Sequence, residues 1–243
     1  MAAIHIGTSG WHYKHWVGTF YPPRTPASKM FAFYCQHFDT VELNNTFYRL
    51  PKPAGLERWR ESSPAGFCFA AKGSRFITHM KKLSDPEPAL DKYFDAIDKL
   101  EEKLGPIVFQ LPPGWAYDRD RFATFLNALP PTHPYAFEFR NESWNNSEAY
   151  NLLAQHGSAY CIFHLAGYES PLQVTTDFTY VRLHGPGGKY QGSYSDQALR
   201  RWAKQIATWS RTLKAVYIYF DNDDSGYAAH NALRLKELVG EAQ

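Results

Sequence analysis

Eight short runs of alternating apolar and polar residues recur along the chain, nearly all separated by longer stretches whose apolar residues return every three or four positions. The strand-like runs span residues 4–7, 40–44, 67–72, 107–111, 135–140, 159–163, 178–184 and 215–220. The helical stretches span 28–38, 54–61, 88–104, 118–129, 146–156, 194–213 and 228–239, with Ser28 placed as a cap for the first and Gly105-Pro106 as the stop of the third. Alternation of this kind demands parallel strands with helical crossovers, because a parallel pair cannot be closed by a tight turn. Eight such units close most naturally into a (β/α)8 TIM-like barrel, and an open doubly wound sheet is the competing α/β arrangement. No linker-like run divides the 243 residues, so residues 1–243 are expected to form a single barrel domain.

In a barrel one face of each strand packs on helices and the other points to the axis. The bulky apolar residues of each run belong outside, which leaves Glu42, Asn44, Lys72, Gln110, Glu138, Arg140, Arg182, His184 and Asp221 facing inward, most of them near strand C-termini. Barrel active sites form at that end. A charge inside a barrel is costly unless paired, so the competing explanation is a structural network in which Lys72, Arg140 and Arg182 satisfy Glu42 and Glu138. Clustered ionisable groups at strand ends favour chemistry for the set as a whole.

The run from Phe178 to Gly192, FTYVRLHGPGGKYQG, joins these themes. Arg182 and His184 share a face, and the strand then breaks at Gly185, Pro186, Gly187 and Gly188, a loop whose backbone can approach an anion. Trp11, Tyr48, Trp144 and Tyr190 fall on loops at the same end and offer rings for stacking on a sugar or base. His184 is a candidate acid or base, with Glu42, Glu138 and Lys72 as catalytic partners. Arg140, Arg182, Asn44, Gly185, Gly187, Gly188 and Asn222 complete the candidate binding set with those aromatics.

Composition removes several alternatives. A formal charge of +2 gives no reason for strong nonspecific attraction to nucleic acid or to an anionic membrane. Neither a signal-peptide core nor a membrane-spanning run is present, so a soluble cytoplasmic protein with no membrane partner and no obligate protein partner is expected. Cys35, Cys68 and Cys161 fit neither a disulfide framework nor a zinc pattern. The first strand runs into GTSGW and not GxGxxG, which disfavours a dinucleotide redox enzyme. Glu42, Glu138, Asp221 and His184 are metal-ligand types, but three interleaved cations oppose a metal and no HxH or HExxH spacing occurs. No cofactor and no metal are therefore expected.

GTSGW at Gly7–Trp11, VELNNTFYRLP at Val41–Pro51, QLPP at Gln110–Pro113, EFRNESW at Glu138–Trp144, RLHGPGGKY at Arg182–Tyr190 and YFDND at Tyr219–Asp223 together resemble the YecE-like family, domain of unknown function 72. The likeness runs from about residue 4 to residue 239. It implies a TIM barrel and no established reaction, and it places recurring polar positions at Glu42, Asn44, Lys72, Glu138, Arg140, Trp144, Arg182, His184, Gly185 and Asn222. Asparagine often stands in that pattern where this chain has Asp221, so Asp221 is not cast as an essential acid. The expected function is an enzyme of hydrolase or lyase type acting on a phosphate- or sugar-containing small molecule. The alternative is a noncatalytic module that uses the same basic and aromatic cleft to hold nucleic acid.

Overall fold

The computed structural model describes residues 2–241. Among them nine strands join in one sheet: β1 (Ala3–Thr8), β2 (Thr40–Leu43), β3 (Cys68–Lys72), β4 (Leu104–Leu111), β5 (Tyr135–Phe139), β6 (Ala159–Leu165), β7 (Tyr168–Glu169), β8 (Phe178–Leu183) and β9 (Ala215–Phe220). The short β7 folds back antiparallel on β6. The other eight are parallel in the order β1-β9-β8-β6-β5-β4-β3-β2 and form a nearly closed barrel.

Helices α1 (Ala27–Tyr34), α2 (Asn45–Tyr48), α3 (Pro53–Ser62), α4 (Glu87–Ile97), α5 (Arg119–Ala128), α6 (Ser147–Gln155), α7 (Asp196–Trp209) and α8 (Tyr227–Glu241) lie between and after the strands. Side-chain oxygens of Asp118, Asn146 and Ser195 accept backbone N–H groups at the starts of α5, α6 and α7. Between β6 and β8 the β7 hairpin replaces a crossover helix. Two expectations need correcting. Pro26, not Ser28, precedes α1: its extended backbone leads directly into Ala27, so Ser28 already lies inside the helix and no side chain caps that end. The stretch 88–104 does not stay helical: α4 ends at Ile97, a 3-10 turn follows, and Leu104 already pairs with Phe69 of β3. Parallel pairing has overridden the helical period there.

The barrel seam lies between β1 and β2. Ser9 and Glu42 form one parallel bridge, and Gly10 N–H donates to the Glu42 carbonyl at 2.8 Å. Beside it the Tyr34 hydroxyl receives the Thr8 N–H at 3.1 Å and donates to the Thr40 carbonyl at 2.9 Å. A Cβ on Gly7 would stand 2.4 Å from that same carbonyl oxygen, so only glycine lets the two strands come this close.

Large apolar side chains such as Phe109, Phe137, Ile162, Val181 and Ile218 face the helices. The lower interior is a separate apolar cluster of Ala70, Val108, Ala136, Ala159, Cys161, Phe178, Tyr180 and Tyr219. Small residues on β3, β5 and β6 leave room for tyrosines from β8 and β9. The Tyr180 hydroxyl reaches Glu42 at 2.7 Å, and that of Tyr219 meets Thr40 at 2.7 Å. This tyrosine floor lifts the charged residues to the C-terminal end.

Candidate active site

Arg182, wholly buried at the end of β8, is the centre of the charged layer. Its Nε and Nη2 donate to the two Glu42 oxygens at 2.9 and 2.7 Å, a bidentate pair. Nη1 donates to Glu138 at 2.8 Å, and Nη2 also approaches Asp221 at 3.3 Å and Asn44 at 3.4 Å. Glu42 takes further hydrogen bonds from Ser9 and Tyr180. Arg140 Nε donates to the other oxygen of Glu138. Burial alone would raise Glu138, but the charges of Arg140 and Arg182 outweigh it and hold its carboxyl well below the usual carboxylate range.

His184 is likewise buried. Its Nδ1 lies 2.9 Å from Asp221, while Arg140 Nη2 lies 2.9 Å from Nε2. An arginine donor requires a lone pair on Nε2, which assigns the proton to Nδ1 and makes Nδ1–H donate to Asp221. Burial pushes Asp221 up, and the bond from His184 together with Arg182 brings it below the ordinary range. The structural network anticipated from sequence therefore exists, with one difference: Lys72 is not bonded into it.

Lys72, at the end of β3, is buried and makes no ion pair or hydrogen bond through Nζ with the described residues. Nζ lies 4.3 Å from the centre of the Phe47 ring. Burial pushes its ammonium down, Arg182 adds to that, and the acids below oppose it, leaving a pKa of about 8. Lys72 borders a hollow of about 490 Å³ with Phe47, Tyr48, Arg75, His79, Gln110 and Tyr190. Gln110 Oε1 is buried there without a hydrogen-bond partner among the described residues. Burial and the charges of Lys72, Arg140 and Arg75 lower His79 below the usual histidine range. A second hollow, of about 620 Å³, shares Gln110 and Tyr190 with the first and is bordered by Arg140 and Lys189.

Four candidate ligand contacts are placed otherwise than the sequence suggested. Arg182 is spent on the network, because each of its three guanidinium nitrogens already donates to a carboxylate oxygen and the side chain is wholly buried. Trp144 is fully buried, packed on Phe139 and Trp115, and its Nε1–H is taken by the Trp115 carbonyl at 2.8 Å. Gly185 donates its N–H to the Tyr194 hydroxyl at 3.1 Å, so that amide is not open to an anion. Asn222 turns its amide to the Gly192 carbonyl and to Asn231, anchoring the loop from behind.

The remaining candidates divide. Tyr48 is exposed beside the Lys72 hollow, while Tyr190 folds over His184 with ring centres 5.5 Å apart. Gly187 is exposed and Gly188 half-buried in the same loop. Trp11 and Asn44 border another hollow, of about 690 Å³, with Phe31, Arg58 and Trp59. Among the described residues no cluster of three His, Cys, Asp or Glu side chains is arranged to hold a metal.

A family described as protein of unknown function DUF72 matches residues 5–243. The chain belongs to the DUF72 family. Over 97% of its length it is 28% identical to the UPF0759 protein YunF of Bacillus subtilis, covering 94% of that protein. It is 30% identical to the UPF0759 protein YecE of Escherichia coli K12 over 57% of this chain and 48% of the relative. A DUF72 family crystal structure from Thermotoga maritima superposes with a TM-score of 0.90 at 27% identity, covering 98% of this chain and 99% of that one. Another, from Enterococcus faecalis, shares the fold with a TM-score of 0.82 at 18% identity over 98% and 95% of the two chains.

Within this DUF72 barrel, sequence reasoning missed Ser9 and Tyr180 on Glu42, and Arg75 and His79 beside Lys72. Arg75 and His79 sit four residues apart around the π-helical turn Phe76–Met80, and that spacing was the only signal they offered.

Proposed function

We propose that the protein is an enzyme that binds a small phosphate- or carboxylate-bearing substrate at the barrel mouth, with Lys72 as its reactive group. The observation that carries this reading is a buried ammonium with no counter-charge bonded to it, facing a hollow. Burying a cation without a bonded partner is costly, and an anionic ligand offsets that cost. Arg75 and Arg140 add cationic donors, and Gln110, which borders both hollows, adds a side-chain amide. In this reading Glu42, Glu138, Arg182 and Asp221 are the rigid base of the site, and His184 positions Arg140. Glu138, held ionised by Arg140 and Arg182, is poorly suited to donate a proton, which argues against two-carboxylate glycoside hydrolysis. Hydrolase or lyase chemistry on the anion-bearing substrate remains the class.

A thermal-shift screen of phosphate, sulfate and sugar phosphates on wild type, Lys72→Met and Arg140→Met tests the proposal. A ligand at about a hundred times its Kd stabilises by roughly 2.7 kcal/mol, or about 5–10 °C for a domain of this size. The expected result is a shift in wild type that Lys72→Met abolishes and Arg140→Met reduces. Equal shifts in wild type and Lys72→Met would refute it. A second reading rests on exposed Tyr48, Phe76 and Met80 around Arg75, a rim suited to stacking on single-stranded nucleic acid. Steeply salt-dependent binding of an oligonucleotide, without any response to small anions, would favour it.

A further inference from the structure

We propose that Lys72 is an amine nucleophile that condenses with the carbonyl carbon of a small aldehyde or ketone also bearing a phosphate or carboxylate group. This rests on the anion-binding reading above and names the substrate's reactive group. The geometry has three parts. Lys72 Nζ is held over the Phe47 ring with no carboxylate bonded to it, so its lone pair, once the proton is lost, is not tied up by the protein. The hollow of about 490 Å³ that it faces suits a substrate of a few carbons, with Arg75 on its wall for the anionic group. Gln110 borders the same hollow, and its side-chain amide can donate to the oxygen of a tetrahedral adduct.

His79 completes the set. Its Nδ1 lies 2.9 Å from the Thr78 hydroxyl, which leaves Nε2 for proton transfer. The ring is pushed toward its neutral form by burial and by Lys72, Arg140 and Arg75. The reaction balances without a cofactor. The ammonium of Lys72 loses one proton to neutral His79 or to solvent, and the free amine forms a C–N bond as the carbonyl π pair moves to oxygen. The oxygen takes a proton back from His79 or solvent to become a hydroxyl, the nitrogen releases one of its two remaining protons to give the carbinolamine, and the hydroxyl leaves with a proton as water while the nitrogen lone pair forms the C=N bond. A protonated imine remains, and it draws electrons from the bond to the adjacent carbon, the opening step of lyase chemistry. The depressed ammonium supports this order of events: at a pKa of about 8 the free amine at pH 7 is roughly two- to three-hundredfold more abundant than for an ordinary lysine.

The test uses glyoxylate, a small aldehyde that carries a carboxylate, with the full-length protein and sodium cyanoborohydride, followed by peptide mapping of every modified lysine. The expected result is carboxymethylation of Lys72 at least tenfold faster than of the exposed lysines, slowed by excess phosphate and absent at this site in Lys72→Arg. Labelling of Lys72 no faster than of surface lysines in the wild-type protein would overturn the proposal, whatever the variant does. Sulfate binding with no preferential labelling would remove the nucleophile and leave the anion site standing. Fast labelling that phosphate does not slow would support the nucleophile and count against the anion site.

Discussion

Lys72 and Glu138 face the same interior, yet their surroundings have opposite consequences for stability. Between pH 8 and pH 10.5 the unfolded chain keeps a proton on Lys72 that the folded chain has released, so this residue's contribution rises with pH across that window. Below pH 8 the buried ammonium imposes its full cost, at most about 3 kcal/mol. Lys72→Met should therefore be more stable than wild type at pH 7, by about 1–3 kcal/mol, with the gap closing as pH approaches 10. Denaturant melts at several pH values check this, and a variant less stable than wild type at pH 7 would count against an unpaired cation. Glu138 stabilises where Lys72 costs, although both contributions rise with pH. Its depressed folded pKa contributes stability that is present above about pH 4.5 and lost as pH falls below it. Glu138→Gln leaves Arg182 and Arg140 poorly paired and should cost about 3–5 kcal/mol at pH 7, with the difference shrinking in acid. An acid-denaturation curve parallel to wild type would show that the carboxylate is not held this way.

Two elements carry particular weight in shaping the site. The β1–β2 seam is tied by the Tyr34 hydroxyl, and Glu42 stands on that seam. Tyr34→Phe leaves the Thr8 N–H and the Thr40 carbonyl without their buried partner and should cost about 1–3 kcal/mol in a denaturant melt. The loop after β8 is shaped by Gly185, whose φ of 114° and approach to the Gln191 backbone exclude a side chain: an added Cβ would lie 2.3 Å from a carbonyl oxygen. Gly185→Ala should displace Tyr190 from His184 and weaken sulfate binding with little change in the barrel, which tyrosine fluorescence and a calorimetric titration of sulfate would show. The strands were legible because inward and outward residues alternate strictly on β5 and β8. Segment 73–86 was not, since its π-helical turn has neither strand nor helix period, and Arg75 and His79 were lost with it.

At the scale of the whole barrel, a period-two pattern states which face a residue occupies but not its depth along the axis or the reach of its neighbours. Sequence thus placed Arg182 and Lys72 together as inward cations, and only the fold distinguishes them. Arg182 sits low enough for Glu42, Glu138 and Asp221 to surround it, while Lys72 stands clear of those acids at the rim of the hollow. Trp144 illustrates the same limit, since a tryptophan after a strand end reads equally as rim or core. The central claim is that Lys72 faces an anion. Calorimetric titration of sulfate at pH 8, repeated in buffers of different ionisation enthalpy, tests it most directly. Wild type should take up as much as about half a proton per sulfate, because Lys72 is half-protonated there and binding completes it, whereas Lys72→Met should bind weakly with no uptake. Identical isotherms for the two proteins, or binding without proton uptake, would contradict the account.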